Sequence, residues 1–167
     1  MGTPKILLIK LRALGDTVLL TAAIESLRQA RPQAEIHVLV PKVWAPLLEG
    51  NPHITRIWDW PSAKPSAKWG TIARVVPKLR HENYDICVNF HASPTSAWVS
   101  RLSGARIRAN HFHGHEDLNR FSTVTIPGKG ELKPILERDL DALRGVIEHE
   151  PLSLSPTQIY LSVDELQ

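Results

Sequence analysis

Two rhythms of apolar residues alternate along this chain. Lys5–Leu11 is an almost unbroken apolar run, the pattern of a strand buried on both faces of a parallel sheet. After the break at Leu14-Gly15-Asp16, Leu20, Ala23, Ile24, Leu27 and Ala30 recur at three- and four-residue spacing. That spacing predicts an amphipathic helix with Asp16 or Thr17 as N-cap and Arg31-Pro32 as its stop. A second strand follows at Glu35–Val40, then a short helix around Trp44–Leu48 and a third strand at about Ile54–Trp58. Pro61–Gly70 holds the tetrapeptide PSAK twice, too few copies for a repeat architecture, and reads as a mobile loop. Beyond it the pattern predicts a helix at about Thr71–Glu82, with Pro77 kinking it or delaying its start, and a strand at Asp85–Phe90. A helix at Thr95–Ser103 with Thr95 as its N-cap and a strand at Ala105–Ala109 complete the series. Asn110–Gly130 is loop-like. Leu132, Leu136, Leu140, Leu143 and Ile147 then share one helical face, with Pro134 in the first turn, before a last strand at Gln158–Ser162.

Strands alternating with helices argue for an α/β fold, a doubly wound parallel sheet with right-handed crossovers. Ligands of such sheets bind outside the carboxyl ends of the strands. The loops expected at that edge are Arg12–Asp16, Pro41–Trp44, Asp59–Trp69, His91–Thr95 and Asn110–Asp117.

Composition narrows the class without naming a function. The chain has 167 residues, 43% hydrophobic and 22% charged, which fits one globular domain and excludes collagen-like and wholly disordered chains. The single Cys87 supplies neither an internal disulfide nor a cysteine-based zinc site. No apolar run approaches the ~20 residues of a membrane-spanning helix, and the opening MGTPKILLIKL reads as a strand rather than a signal peptide. A soluble cytoplasmic domain is the expectation. Twenty Lys and Arg against seventeen Asp and Glu leave a net charge of only +3, a weak argument for an anionic partner. The distribution says more: Lys64, Lys68, Arg74, Lys78 and Arg80 follow one another with no acid between them. A solvated basic face is the plain reading of such a run.

The first loop, Leu11–Thr17, has one glycine, so it is neither a dinucleotide fingerprint nor a Walker loop. It does deliver a carboxylate, Asp16, to the ligand edge of the sheet. An ordinary helix cap would explain that residue by itself. His111, His113 and His115 alternate in a His-rich loop, a pattern that fits transition-metal ligands, but hydrogen-bonding loops of this composition are commoner. No HExxH accompanies them, and no metal site is assigned. Trp60 and Trp69, two of the four tryptophans between residues 44 and 69, are candidates for stacking on a ligand ring.

Two long stretches match a known family. KILLIKLRALGDTVLLTAAIESLRQARPQAEIHVLVPKVWAPLLEGNPHITRIW resembles the start of the lipopolysaccharide heptosyltransferases, glycosyltransferase family 9. YDICVNFHASPTSAWVSRLSGARIRANHF is similar to a second family segment, and order and spacing agree across nearly the whole chain. The resemblance implies a Rossmann-like N-terminal half of a GT-B glycosyltransferase. Residues 1–150 would be the acceptor-binding domain and 151–167 the start of an interdomain linker, with the C-terminal donor domain, and ADP-heptose with it, absent. It implies that Asp16 is the catalytic base, since an acceptor hydroxyl must lose a proton as it attacks the anomeric carbon. Arg12, Lys10, Lys64, Lys68 and His91 become acceptor-binding residues, suited to the carboxylates and phosphates of a lipopolysaccharide inner core. Thr95 stands where some members have Lys or Arg, which puts their phosphate contact in doubt here. No cofactor and no nucleic acid are expected, whereas peripheral contact with the inner membrane of a Gram-negative bacterium is. On its own the chain is expected not to turn over. A non-catalytic sugar-lipid binding module paired with a separate donor chain is the alternative, and a hydrolase centred on the His cluster is a distant third.

Overall fold

The computed structural model describes residues 3–62, 67–91, 93–110, 120–126, 133–147, 152–153 and 155–160. Its strands are β1 (Lys5–Ile9), β2 (Glu35–Pro41), β3 (Arg56–Trp60), β4 (Ile86–Asn89) and β5 (Ile107–Asn110). They form one sheet in the order β3-β2-β1-β4-β5, every pairing parallel. The helices are α1 (Leu14–Ala30), α2 (Lys68–His81), α3 (Pro94–Leu102) and α4 (Ile135–Arg144), and a 3-10 segment spans Lys42–Leu48.

Apolar residues on both sides of each central strand explain the layering. In β1, Ile6 and Leu8 belong to the core with Leu20, Ile24, Leu27, Leu140 and Leu143, so α1 and α4 cover that face. Leu7 and Ile9 point the other way, into a core with Ile72, Val75, Val76, Leu79 and Val99 from α2 and α3. All four of these β1 side chains are fully buried, as a strand sandwiched between helix layers requires. The doubly wound fold expected from the sequence is the one observed.

Several boundaries differ, each for a local reason. β1 stops at Ile9, although the Lys10 amide still bonds to Leu39 O at 3.0 Å. α1 starts at Leu14, earlier than expected, so neither Asp16 nor Thr17 is its N-cap. Ala13 holds that place with no side-chain cap, and the Thr17 hydroxyl donates back to Ala13 O at 3.3 Å. α2 begins at Lys68, which takes Lys68, Trp69 and Gly70 out of the loop and into the first helical turn. Pro77 lies inside α2 on its exposed side, where the carbonyl it leaves unbonded, that of Ala73, also faces water. At α3 the cap is Ser93, whose Oγ accepts the Ser96 amide at 3.2 Å, rather than Thr95. β3 and β5 each begin two residues later than expected, and Pro134 is the residue before α4 rather than part of its first turn. Gln158–Tyr160 form no strand. Their segment runs along α1 instead, with the Gln158 amide on Thr21 Oγ1 at 3.0 Å and Ser26 Oγ donating to Ser153 O at 2.8 Å.

Candidate functional site

The chain steps outward from β1 to β2 and β3, then returns to the other side of β1 for β4 and β5. The reversal lies between β1 and β4, where the loops after the two strands diverge and leave a crevice at their carboxyl ends. The first loop carries Lys10, Arg12 and Asp16; the second carries His91, Ser93 and Thr95.

Asp16 is the third residue of α1, half-buried, and free of any capping bond. Its place in the first turn puts a carboxylate against the positive end of the helix dipole. Arg12 is exposed beside it. His91 is half-buried and its backbone is clamped: its amide donates to Asn89 Oδ1 at 3.1 Å and its carbonyl accepts from Ser96 Oγ. Asn89 in turn donates to Asn110 Oδ1 at 3.0 Å, so a buried amide pair across β4 and β5 holds the loop. Burial pushes the His91 imidazole down to about 4; Arg12 and Lys10 push the same way and Asp16 opposes them. At neutral pH His91 is therefore an uncharged hydrogen-bonding group.

Lys10 has a partner that the sequence reading did not foresee. The residue is 3% exposed, and its ammonium bonds to Asp139 Oδ2 of α4 at 2.8 Å, with the Phe90 ring 5.7 Å from Nζ. Asp139 is 1% exposed. Burial raises its carboxyl to about 6, against the pull of Lys10 and helped by repulsion from Asp16. A signal for Asp139 was present: Leu136, Asp139, Leu140 and Leu143 fall on one helical stripe, so an acid sits among residues predicted to be buried.

An open cavity of about 230 Å³ lies beside this group, lined by Leu11, Trp60, Lys68, His91, Ser93 and Thr95. It brings Trp60, Lys68 and His91 together, as a ligand site would; Asp16 and Arg12 are not in its wall, but both act electrostatically on His91, which is. Trp69 is 63% exposed and meets Trp98 edge-on at 5.7 Å, with Trp98 4.8 Å from Phe121. Lys64, His111, His113 and His115 lie outside the described residues. Among the described residues no three His, Cys, Asp or Glu side chains gather in a metal-binding group. Cys87 is buried against Ser100 with its thiol pushed up to about 11 by burial, which leaves it no nucleophilic part.

A one-glycine loop thus places an acid at the switch point, with basic groups and a neutral histidine on the loops around it. Two curated relatives, both lipopolysaccharide heptosyltransferase 3 of Escherichia coli, match at 32% identity over 60% of this chain and, for strain K12, 29% over 84% of it. This chain is similar to the lipopolysaccharide heptosyltransferases. The resemblance read from its motifs is thereby borne out. The chain spans 30% and 40% of the length of those two relatives. Among solved structures, a family 9 glycosyl transferase from Veillonella parvula superposes with a TM-score of 0.82 at 20% identity, over 96% of this chain and 46% of that one. Heptosyltransferase WaaC of E. coli, solved with ADP-2-deoxy-2-fluoro heptose, superposes at 0.72 and 15% identity, over 92% of this chain and 51% of that one. Those likenesses show the fold: the sheet and its helices match one half of a GT-B heptosyltransferase. No family model matches the chain.

Proposed function

We propose that this chain is the acceptor-binding, base-carrying half of an inverting glycosyltransferase that moves heptose from ADP-heptose to a lipopolysaccharide core acceptor. The observation that carries the reading is Asp16, an uncapped carboxylate at the switch point of a fold shared with heptosyltransferases. Residues 1–150 form the acceptor domain on this reading and 151–167 begin the linker. ADP-heptose is held by a second domain outside these residues, so the chain by itself does not turn over.

In the reaction the acceptor hydroxyl oxygen attacks the anomeric carbon of the heptose from the side opposite ADP. The Asp16 carboxylate takes the hydroxyl proton as the new C–O bond forms, and the ADP oxygen leaves with the electron pair of the bond that breaks. Arg12 and Lys68 pair with acceptor carboxylates or phosphates. Neutral His91 hydrogen-bonds a sugar hydroxyl at the cavity wall, and Trp60 offers an apolar face to the ring. Lys10, held by Asp139, acts through the field it sets around His91 rather than by touching the acceptor.

The test is Asp16→Asn in a protein carrying both halves, assayed with ADP-heptose and a defined acceptor. Loss of the base is expected to lower kcat by about 10²–10⁴-fold. Without a capping bond to lose, stability falls only by the charge–dipole contribution, about 0.3–1 kcal/mol. Retention of most of kcat would remove Asp16 from the chemistry.

A further inference from the structure

The two helix layers differ in charge. Between Trp60 and Asn110 the sequence holds eight Lys and Arg but only Glu82 and Asp85 as acids, leaving twelve bases against fifteen acids elsewhere. Both of those acids are engaged next to β1 or β3, Glu82 with Lys5 and Arg56 and Asp85 with the Lys5 amide. Among the described residues the outer side of α2 and α3 is therefore purely cationic. Lys68, Arg74, Lys78, Arg80 and Arg101 are all exposed there, and none makes an ion pair with a described residue. The Arg80 stem passes close to Gly104, just beyond α3, which carries the charge across the seam between the helices. On the opposite layer charges of both signs occur and several are paired, as in Glu25–His53, Lys133–Asp141 and Arg144–Asp141.

A second observation concerns Trp69. It sits in the first turn of α2, 63% exposed, at the end of an aromatic row that continues through Trp98 to Phe121, with the Arg120 guanidinium 5.1 Å from the Phe121 ring. An exposed tryptophan beside cations that no described residue pairs matches the boundary between lipid headgroups and acyl chains, where the indole is half-solvated and phosphates neutralise the cations. A polynucleotide would need a cationic groove lined by stacking aromatics. Here the cations stand on the outside of a helix layer, and the aromatic row is confined to one end of it.

We propose that the outer face of α2 and α3 docks on an anionic bilayer, with Trp69 at headgroup level and Arg74, Lys78, Arg80 and Arg101 against lipid phosphates. Docked this way, the cavity walled by Trp60, Lys68 and His91 opens beside the membrane, where a lipid-anchored acceptor is reached without leaving it. Only this last point rests on the acceptor reading above; the docking itself does not.

The chain is sedimented with vesicles of phosphatidylethanolamine and phosphatidylglycerol (3:1) and with pure phosphatidylcholine, at low and high salt. Binding is expected to the anionic vesicles alone, to weaken with salt, and to shift the tryptophan emission to the blue in wild type but not in Trp69→Phe. Arg74→Gln and Lys78→Gln are each expected to weaken binding about fivefold, and together about 30-fold. Lys42→Gln removes the same charge from the exposed 3-10 segment and is expected to change nothing. Equal weakening by Lys42→Gln would show that only net charge matters and would overturn the proposal. Absence of vesicle binding, or tighter binding to mixed-sequence duplex DNA through the same residues, would overturn it as well. Transfer to a soluble, delipidated acceptor by the two-half protein is expected to survive Arg74→Gln. Its loss in the wild type would count against the acceptor reading and leave the docking result standing.

Discussion

Charged residues collect at both ends of the sheet, and the two collections are held in opposite ways. At the amino edge Lys5, Glu35, Arg56 and Glu82 form a partly exposed network, with Lys5 Nζ 2.9 Å and Arg56 Nη1 2.6 Å from the two Glu82 oxygens. The bond between Lys5 and Glu82 is the leading cause of both shifts, Lys5 upward and Glu82 downward, so each group is steadied in its charged form. At the carboxyl edge burial comes first: it raises Asp139 and lowers His91, pressing both toward neutrality. Charges that stabilise a fold gain partners in water; charges kept for chemistry are held where solvation is poor. The carboxyl edge has the second character, and it is the edge where the switch point and the cavity coincide.

The largest expected break in this contrast comes from removing one partner at each edge. Lys10→Met leaves Asp139 buried without its counter-ion and is expected to cost about 3–5 kcal/mol, read by urea unfolding. Glu82→Gln at the amino edge is expected to cost about 1 kcal/mol or less, because its partners return to water. Replacing both buried charges, Lys10→Met with Asp139→Leu, should restore most of the loss. A Lys10→Met protein as stable as wild type would mean that the pair is not buried as described.

Acid titration sharpens the same point with a somewhat smaller effect. Asp139 has a folded pKa of about 6, above the ordinary 3.8, so its contribution favours folding at low pH and is lost as pH rises through about 6. His91 has a folded pKa of about 4, below the ordinary 6.5, so its contribution is present above about 6.5 and is lost as pH falls toward 4. The two slopes oppose each other across that window, each worth at most about 3 kcal/mol. Wild-type stability between pH 6.5 and 4 is expected to vary little on their account. Asp139→Asn uncovers a fall in stability on acidification and His91→Gln a rise, both measurable as melting temperature against pH. Parallel pH profiles for the two variants and wild type would contradict the burial of both groups.

How much of this was readable beforehand depends on how far along the chain the cause of each feature lies. The β1 run, the α1 periodicity and the breaks at Arg31-Pro32 and Gly104 are local, and the sheet with its helix layers follows from them. Cap positions were missed because Asp16 and Thr95 look like caps by residue type, whereas Ala13 and Ser93 win by where each helix clears its strand. Lys10 joins the acceptor-binding set only through the family resemblance, and its direction depends on where β1 ends. Its partner stands 129 residues away, and only the packing of α4 against α1 brings Asp139 to it. His91, Trp60 and Lys68 were named separately as candidates, and the parallel register of β1 with β4 and of β2 with β3 gathers them at one cavity.

The smallest effect concerns the two helices that open onto the crevice. α3 starts with a bonded cap, Ser93 Oγ on the Ser96 amide, and Ser93→Ala is expected to cost about 1 kcal/mol. α1 starts with none, so Asp16→Ala forfeits only its favourable place near the helix dipole, about 0.3–1 kcal/mol, and that part fades as salt is added. Removing Asp16 also relieves its repulsion of Asp139, which offsets some of the loss. Thermal unfolding of the two variants at low and high salt separates these contributions: the Ser93→Ala deficit should be insensitive to salt and the Asp16→Ala deficit should shrink. If Asp16→Ala costs as much as Ser93→Ala at every ionic strength, Asp16 is serving the helix as a cap. The contrast between an edge built for stability and an edge that holds a free carboxylate would then fail at its central residue.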